Sequence, residues 1–220
     1  MESKSKYKTL ISLAAFITAG ILFWYKFHFL RKPKRSIISS PDWLLSPAMG
    51  KIVAVREFDE NTIIENKYED EDKIAGAIRI FSKDVSTSGT IISTHLSLND
   101  VHFQRCPIDS KVVQIYYVKG DFKNAISTDD EGKIRYENEH CAILFETESG
   151  FRYKVVLIAG FIARKIEVYV KPNQFVKQGE VFSLIKMGSQ VTTLLPSEVK
   201  VVVSAGEKVV DGESIIGIIE

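Results

Sequence analysis

A mainly β body behind a single N-terminal membrane helix is the fold class this sequence predicts, and three observations predict it. Residues 9 to 25, TLISLAAFITAGILFWY, run without a charge. Beyond residue 45, short Val- and Ile-rich runs alternate with Gly, Pro, Asn and Asp, and no long stretch keeps a helical period. Two of these stretches echo each other: in VKPNQFVKQGEVFSLI and VSAGEKVVDGESIIGI, Val170, Val176, Gly179, Glu180 and Ile185 recur as Val203, Val209, Gly212, Glu213 and Ile218. A recurring strand–turn–strand unit cannot bury its apolar face alone, so such units stack into a compact sandwich.

Composition narrows the function classes. A chain of 220 residues, 45% apolar and 26% charged, suits one globular domain of moderate size with an appendage. Its 29 basic and 28 acidic residues leave a formal charge of +1, which gives no global field for nucleic acid. Cys106 and Cys141 stand in no CxxC or Cys/His cluster, so they read as buried, reduced thiols and not as zinc ligands or a disulfide framework.

The elements follow in chain order. The 17 residues from Thr9 to Tyr25 reach about 26 Å as a helix, against a hydrocarbon core of roughly 30 Å. Trp24 and Tyr25 at the interface, with Lys8 and Lys26 snorkelling, close that gap. The bulky FWYKF that ends the run is unlike the small-residue cleavage site of a signal peptide. Lys4, Lys6 and Lys8 precede the segment, while Lys26, Arg31, Lys32, Lys34 and Arg35 follow it. That excess puts the body on the cytoplasmic side of the cell membrane, with RKPKR able to meet anionic headgroups.

Residues 1–35 are therefore expected to be a basic flank and anchor, 36–45 a linker, and 46–220 the β body. Within the body, PAMGKIVAV from Pro47, PIDSKVVQI from Pro107 and PSEVKVVVS from Pro196 share a spacing of Pro, Lys and two β-branched residues. The charged NKYEDEDK, residues 66–73, reads as a solvated loop. Between the strand-like EVFSLI and TTLLP lies KMGSQV, whose Gly188 and Ser189 are ordinary turn residues by turn chemistry alone.

The echo resembles the lipoyl and biotinyl carriers, in which two quasi-repeats flank a hairpin that displays a reactive lysine. That resemblance implies a barrel-sandwich, lipoyl/biotinyl-carrier-like body. Here the tip position falls on Ser189 and Lys186 stops short of it, so the fold is expected without the carrier chemistry.

A more specific resemblance runs from residue 46 to about 196. SPAMGK, LNDVHFQRCP, GDFKNA, ENEHCAILFET, IAGFIARKI, VKQGEVFSLIKMGSQV and the following LP resemble, in order, the short bacterial and archaeal form of the phosphatidylserine decarboxylase family. The resemblance implies that the Ser189 hydroxyl attacks the Gly188 carbonyl and that the chain divides between 188 and 189. A pyruvoyl group derived from Ser189 is then the cofactor, with no metal. Its carbonyl would take the amine of phosphatidylserine, or of archaetidylserine, as a Schiff base and act as electron sink while carbon dioxide leaves.

The same resemblance implies that the large and small chains stay associated, and that the partners are the phospholipid and its membrane. A homo-oligomer stays open, and no nucleic acid is expected. His102 in DVH matches the histidine of the decarboxylation step, a proton donor whose ordinary pKa suits the task. Asp100, two residues earlier, is its candidate orienting residue. Arg164 in IAGFIARKI is the candidate for the substrate carboxylate or phosphate, because its fork pairs with either bidentately. Arg105 has no assigned role, and His28, His95 and His140 read as structural or exposed. Met49 departs from the family pattern: many members carry aspartate there, in PADG, implicated in self-cleavage, and a thioether neither ionises nor takes up a proton. The alternative reading is a membrane-tethered barrel-sandwich relative that does not process itself and serves as a carrier or adaptor.

Overall fold

The computed structural model describes residues 2–59, 82, 84–120, 138–160, 165–186 and 189–220. The loop expected at 66–73 therefore lies outside the described residues, as do Arg164 and Gly188. The chain divides into two units, Met1–Pro33 and Lys34–Glu220.

The first unit is a helix, α1 (Glu2–Trp24), continued by one π turn, Tyr25–Phe29, in which Leu30 N donates to Tyr25 O at 3.0 Å. The apolar span runs from Tyr7 to Phe29, 23 residues that reach about 35 Å, so the helix clears the hydrocarbon thickness that the charge-free run alone falls short of. It is long and apolar enough to cross a membrane, and Leu10, Ile11, Phe16 and Phe23 on it are exposed.

The second unit is mainly β, with fourteen strands among the described residues: β1 (Trp43–Leu45), β2 (Gly50–Phe58), β3 (Gly89–Leu96), β4 (Phe103–Arg105), β5 (Ser110–Val118), β6 (His140–Glu146), β7 (Arg152–Ala159), β8 (Ile166–Val168), β9 (Phe175–Val176), β10 (Val181–Ile185), β11 (Ser189–Pro196), β12 (Val199–Val201), β13 (Lys208–Val209) and β14 (Ile215–Ile219). Eight of them form one antiparallel sheet in the order β13-β2-β3-β11-β7-β6-β5-β9, flanked by the three-stranded sheets β1-β14-β12 and β4-β10-β8.

The sequence echo becomes a structural one. β9 and β10 come from the first copy and β13 and β14 from the second, with β8 and β12 just ahead of each. β10 pairs β8 as β14 pairs β12, while β9 and β13 close opposite edges of the large sheet. Gly179 and Gly212, equivalent in the two copies, both turn the chain at positive φ, 77° and 72°. A Cβ at Gly179 would stand 2.5 Å from Ile37 Cδ1, so both backbone and space require glycine there.

The core lies on the face of the large sheet that carries Ile52, Ile92, Leu96, Phe145, Leu157 and Val191, together with Phe182 of β10. Phe145 stacks on Tyr153 at 5.1 Å and meets Phe182 edge-on at 5.3 Å. Each such buried side chain contributes about 1.5–3 kcal/mol relative to exposure. Cys106 and Cys141 are free and buried, and burial pushes both thiols up to about 12. β11 is buried along its whole length, as befits a strand enclosed on both faces.

The stretch read as a linker is fastened along the body. Ser36 N donates to Glu213 Oε1 at 2.9 Å, Ser40 N to Gln178 Oε1 at 3.1 Å, and Ile219 N to Asp42 O at 2.9 Å. Gln178 and Asp211 hold equivalent places in the two copies, and each catches this incoming segment: Gln178 donates to Trp43 O at 2.7 Å, and Asp211 receives the Arg35 guanidinium.

Candidate active site

Ser189 opens β11 and is paired on both sides, with Leu96 of β3 and Ala159 of β7. Strand alternation puts its side chain on the same face as Val191 and Leu195, into the core. The residue is fully buried, and its hydroxyl makes no hydrogen bond among the described residues. An orphaned buried hydroxyl costs about 1–3 kcal/mol, which an ordinary turn serine would avoid by facing solvent.

Backbone contacts bring the DVH stretch against β10, the strand that precedes Ser189. β4 pairs β10, and just past the end of that pairing Ile185 N donates to His102 O at 3.1 Å. Ile185 precedes Ser189 by four residues in the chain. His102 is fully buried, and its Nδ1 lies 2.9 Å from Asp100 O. A carbonyl only accepts, so in the neutral ring Nδ1 carries the proton and Nε2 is the basic nitrogen. The atom of Asp100 that meets the ring is its backbone oxygen. Its carboxylate does something else, taking hydrogen bonds from Ser97 N and Ser97 Oγ, both at 2.7 Å, in a tight turn.

Two supporting groups escaped sequence reasoning. Gln104 Nε2 donates to His102 O at 2.7 Å and is itself held by Ser183 Oγ at 2.8 Å, so β4 and β10 fix the histidine backbone from both sides. Asn138, in ENEHC, donates to Ala159 O at 2.9 Å, while Ala159 N donates to Glu139 O at 2.9 Å, pinning the residue that pairs with Ser189. The period-2 spacing of 102 and 104 was a legible signal for the first. Nothing local marked the second, because its partner lies 21 residues away.

Arg164 lies outside the described residues, but its neighbour Lys165 is placed: Lys186 N donates to Lys165 O at 3.2 Å. The ammoniums of Lys165 and Lys186 both reach Glu167, at 3.1 and 2.8 Å, and hold its carboxyl down at about 2, Lys186 more than Lys165. This exposed cluster ties the segment after IAGFIA to the segment before Ser189.

Arg105 acquires a role. Its Nε donates to Asp211 Oδ2 at 2.8 Å, and its Nη1 to Gly179 O at 2.8 Å. The second Asp211 oxygen takes Arg35 Nη2, which also approaches Met49 Sδ at 3.6 Å. Asp211 is fully buried, so removing it would leave buried guanidinium charge uncompensated, a loss of about 3–5 kcal/mol in comparable cases. Met49 therefore sits beside a cation.

His95 and His140 lie on the opposite face of the sheet from the Ser189 side chain, in one cross-strand row with Gln190. His28 belongs to the π turn. Among the described residues no group of three His, Cys, Asp or Glu comes close enough to hold a metal ion. Ser189 offers a buried hydroxyl without a hydrogen-bond partner among the described residues, and the His102 ring is held through Nδ1.

Comparison with known proteins shows the family. Residues 22–217 match the family model for phosphatidylserine decarboxylase. The chain is 33% identical over 193 residues to the phosphatidylserine decarboxylase proenzyme of Desulfotalea psychrophila, covering 88% of this chain and 78% of that one. It is 32% identical over 205 residues to the proenzyme of the same name from Chlorobaculum parvum, covering 93% and 83%. It is 35% identical over 189 residues to that of a Wolbachia from Brugia malayi, covering 86% and 73%.

Proposed function

The chain belongs to the phosphatidylserine decarboxylase family, and from that premise we propose that it removes carbon dioxide from the serine headgroup of phosphatidylserine, or of archaetidylserine, after cleaving itself between Gly188 and Ser189. The observation that carries the reading is the Ser189 hydroxyl, buried and without a hydrogen-bond partner among the described residues. A nucleophile kept from solvent and from competing acceptors has the carbonyl of its own preceding residue as its natural target. Attack converts the 188–189 amide to an ester. Elimination frees the Gly188 carboxylate, and water then releases ammonia from the dehydrated residue.

A pyruvoyl group at residue 189 supplies the carbonyl that takes the substrate amine and the sink for the electrons of the broken carbon–carbon bond. The chain's own residues do the rest. His102, its Nδ1–H donated to Asp100 O in a hydrogen bond, uses the basic Nε2 to take up a proton and then deliver it. Gln104 and Ile185 fix its backbone. Leu96 and Ala159, on either side of residue 189, exclude water. Arg164 binds the substrate carboxylate or phosphate.

The two chains stay together in this reading, because 189–220 supplies β11 in the middle of the large sheet, β14 between β1 and β12, and the carboxylate that Arg105 and Arg35 share. The apolar helix anchors the enzyme to the cell membrane with the body on the cytoplasmic side, following the basic flank after it, so enzyme and lipid meet in two dimensions at high effective concentration.

Mass spectrometry of the purified protein tests the reading. A C-terminal fragment that begins at residue 189 and carries pyruvoyl in place of serine is the expected result. An intact chain with free serine would favour the non-processing carrier or adaptor reading.

Position 49 gives a second test. In Met49→Asp the new carboxylate would face Arg35, so it would not be buried without a partner. We expect the small chain to appear about tenfold faster than in wild type, less than the usual worth of a positioned acid–base group because Arg35 competes for the carboxylate. A time course on denaturing gels measures it. An unchanged rate would mean that cleavage in this chain does not call on a carboxylate at 49.

A further inference from the structure

Self-cleavage needs the chain held on both sides of the 188–189 bond, because the Ser189 hydroxyl can attack only while the Gly188 carbonyl stays within reach. Ser189 is held by its pairing with Leu96 and Ala159. On the carbonyl side, Lys186 stands three residues before Ser189, and the segment that follows Arg164 holds it twice. Its backbone N donates to Lys165 O at 3.2 Å, and its ammonium reaches Glu167 Oε1 at 2.8 Å. The same oxygen takes Lys165 Nζ at 3.1 Å, and the Tyr169 hydroxyl donates to Glu167 Oε2 at 3.2 Å. Register puts Glu167 there: β10 and β8 pair Leu184 with Glu167 and Ile185 with Ile166, so Lys186 comes out of β10 within reach of that carboxylate.

An isolated surface ion pair is worth little, but here one carboxylate collects two ammoniums and a phenol, which fixes its geometry. The Lys186 and Glu167 side chains are also less than a third exposed, at 29% and 27%. We propose that Glu167 is a positioning residue for self-cleavage: through Lys186 it holds the chain on the carbonyl side of the 188–189 bond where Ser189 can attack it. This role rests on the self-cleavage reading. Loosening Lys186 multiplies the conformations open to the two residues after it, so the effective concentration of carbonyl beside hydroxyl falls. The fold does not depend on the clasp, because β8 and β10 stay paired through their backbones. The two ammoniums hold the Glu167 carboxyl down at about 2, Lys186 more than Lys165, so it is ionised throughout the neutral range.

The test is a time course of small-chain formation after a pulse of cell-free synthesis of the full-length protein in detergent micelles. Glu167→Gln keeps the side-chain length and an acceptor for Tyr169 but loses the charge. It should cleave about fivefold more slowly, while turnover per small chain formed stays within about twofold of wild type. Sodium chloride raised from about 50 mM to about 1 M should slow wild type toward that rate and leave Glu167→Gln unaffected. Glu167→Lys and Lys186→Glu should each be slowed at least as much, and the double variant, which restores opposite charges, should recover to within about twofold of wild type. Glu146→Gln, which loses an exposed ion pair with Arg152 at the other end of β7 from Ala159, should cleave as wild type does. A melting transition like that of wild type verifies that each variant is folded. Cleavage of Glu167→Gln at the wild-type rate, or a double variant no faster than either single one, overturns the role of Glu167 and leaves the self-cleavage reading standing. A wild-type chain that stays intact overturns both.

Discussion

Ser189→Ala should run on a denaturing gel as one chain, while wild type separates into residues 1–188 and 189–220. The substitution removes the only atom at that position able to attack a carbonyl, so cleavage and decarboxylation should both be lost. It should not harm the fold. The Ser189 hydroxyl is buried between Leu96 and Ala159 with no partner among the described residues, and alanine keeps the Cβ that packs there. Relative to the uncleaved precursor, relief of an unsatisfied hydroxyl is worth about 1 kcal/mol, which in a domain of this size raises Tm by about 2–4 °C. Scanning calorimetry beside the gel therefore separates lost chemistry from lost structure. Identical single bands for wild type and Ser189→Ala would sink the cofactor claim. Two bands in the variant would move the nucleophile elsewhere.

His102→Gln should cut turnover by roughly 10² to 10⁴, the usual worth of a positioned proton donor, while small-chain formation survives. Glutamine is the better choice than alanine because the ring is fully buried, and a large-to-small change there would leave a cavity. Its amide nitrogen can still donate to Asp100 O, the bond that Nδ1 makes now, but it cannot deliver a proton. The measurement is ethanolamine-lipid production against small-chain yield in one time course. Loss of all cleavage would transfer the histidine to self-processing. Turnover within a few-fold of wild type would remove it from the chemistry.

Much of this was legible in the chain because it depends on local pattern. The charge-free run gave the helix, although its true apolar length, Tyr7 to Phe29, appears only when the flanking Lys8 and Lys26 are seen to continue the same helix. The echo of Gly179 and Gly212 gave the repeated unit, because positive φ at a turn leaves a mark in residue type. Motif order pointed to Ser189 and His102. What stayed hidden was every partner chosen across the fold. Asp211 drew no reading, and Arg105 had no role, until 106 residues of separation closed into one buried ion pair. Asp100 was open between a group that orients His102 and an ordinary turn carboxylate, and its carboxylate caps the turn at Ser97 while its backbone oxygen meets the ring.

The sequence by itself determined the apolar helix, the β grammar of the body and the Gly–Ser step at 188–189, since each is written in neighbouring residues and their period. Only the tertiary structure decided that Ser189 faces inward with its hydroxyl unmet, that His102 lies beside the end of β10, and that Glu167 receives Lys186 across the pairing of β8 with β10. The reason is register. A side chain's face is fixed by alternation, but its neighbours are fixed by which strand pairs with which, and a shift of one residue would send every side chain on β11 to the other side.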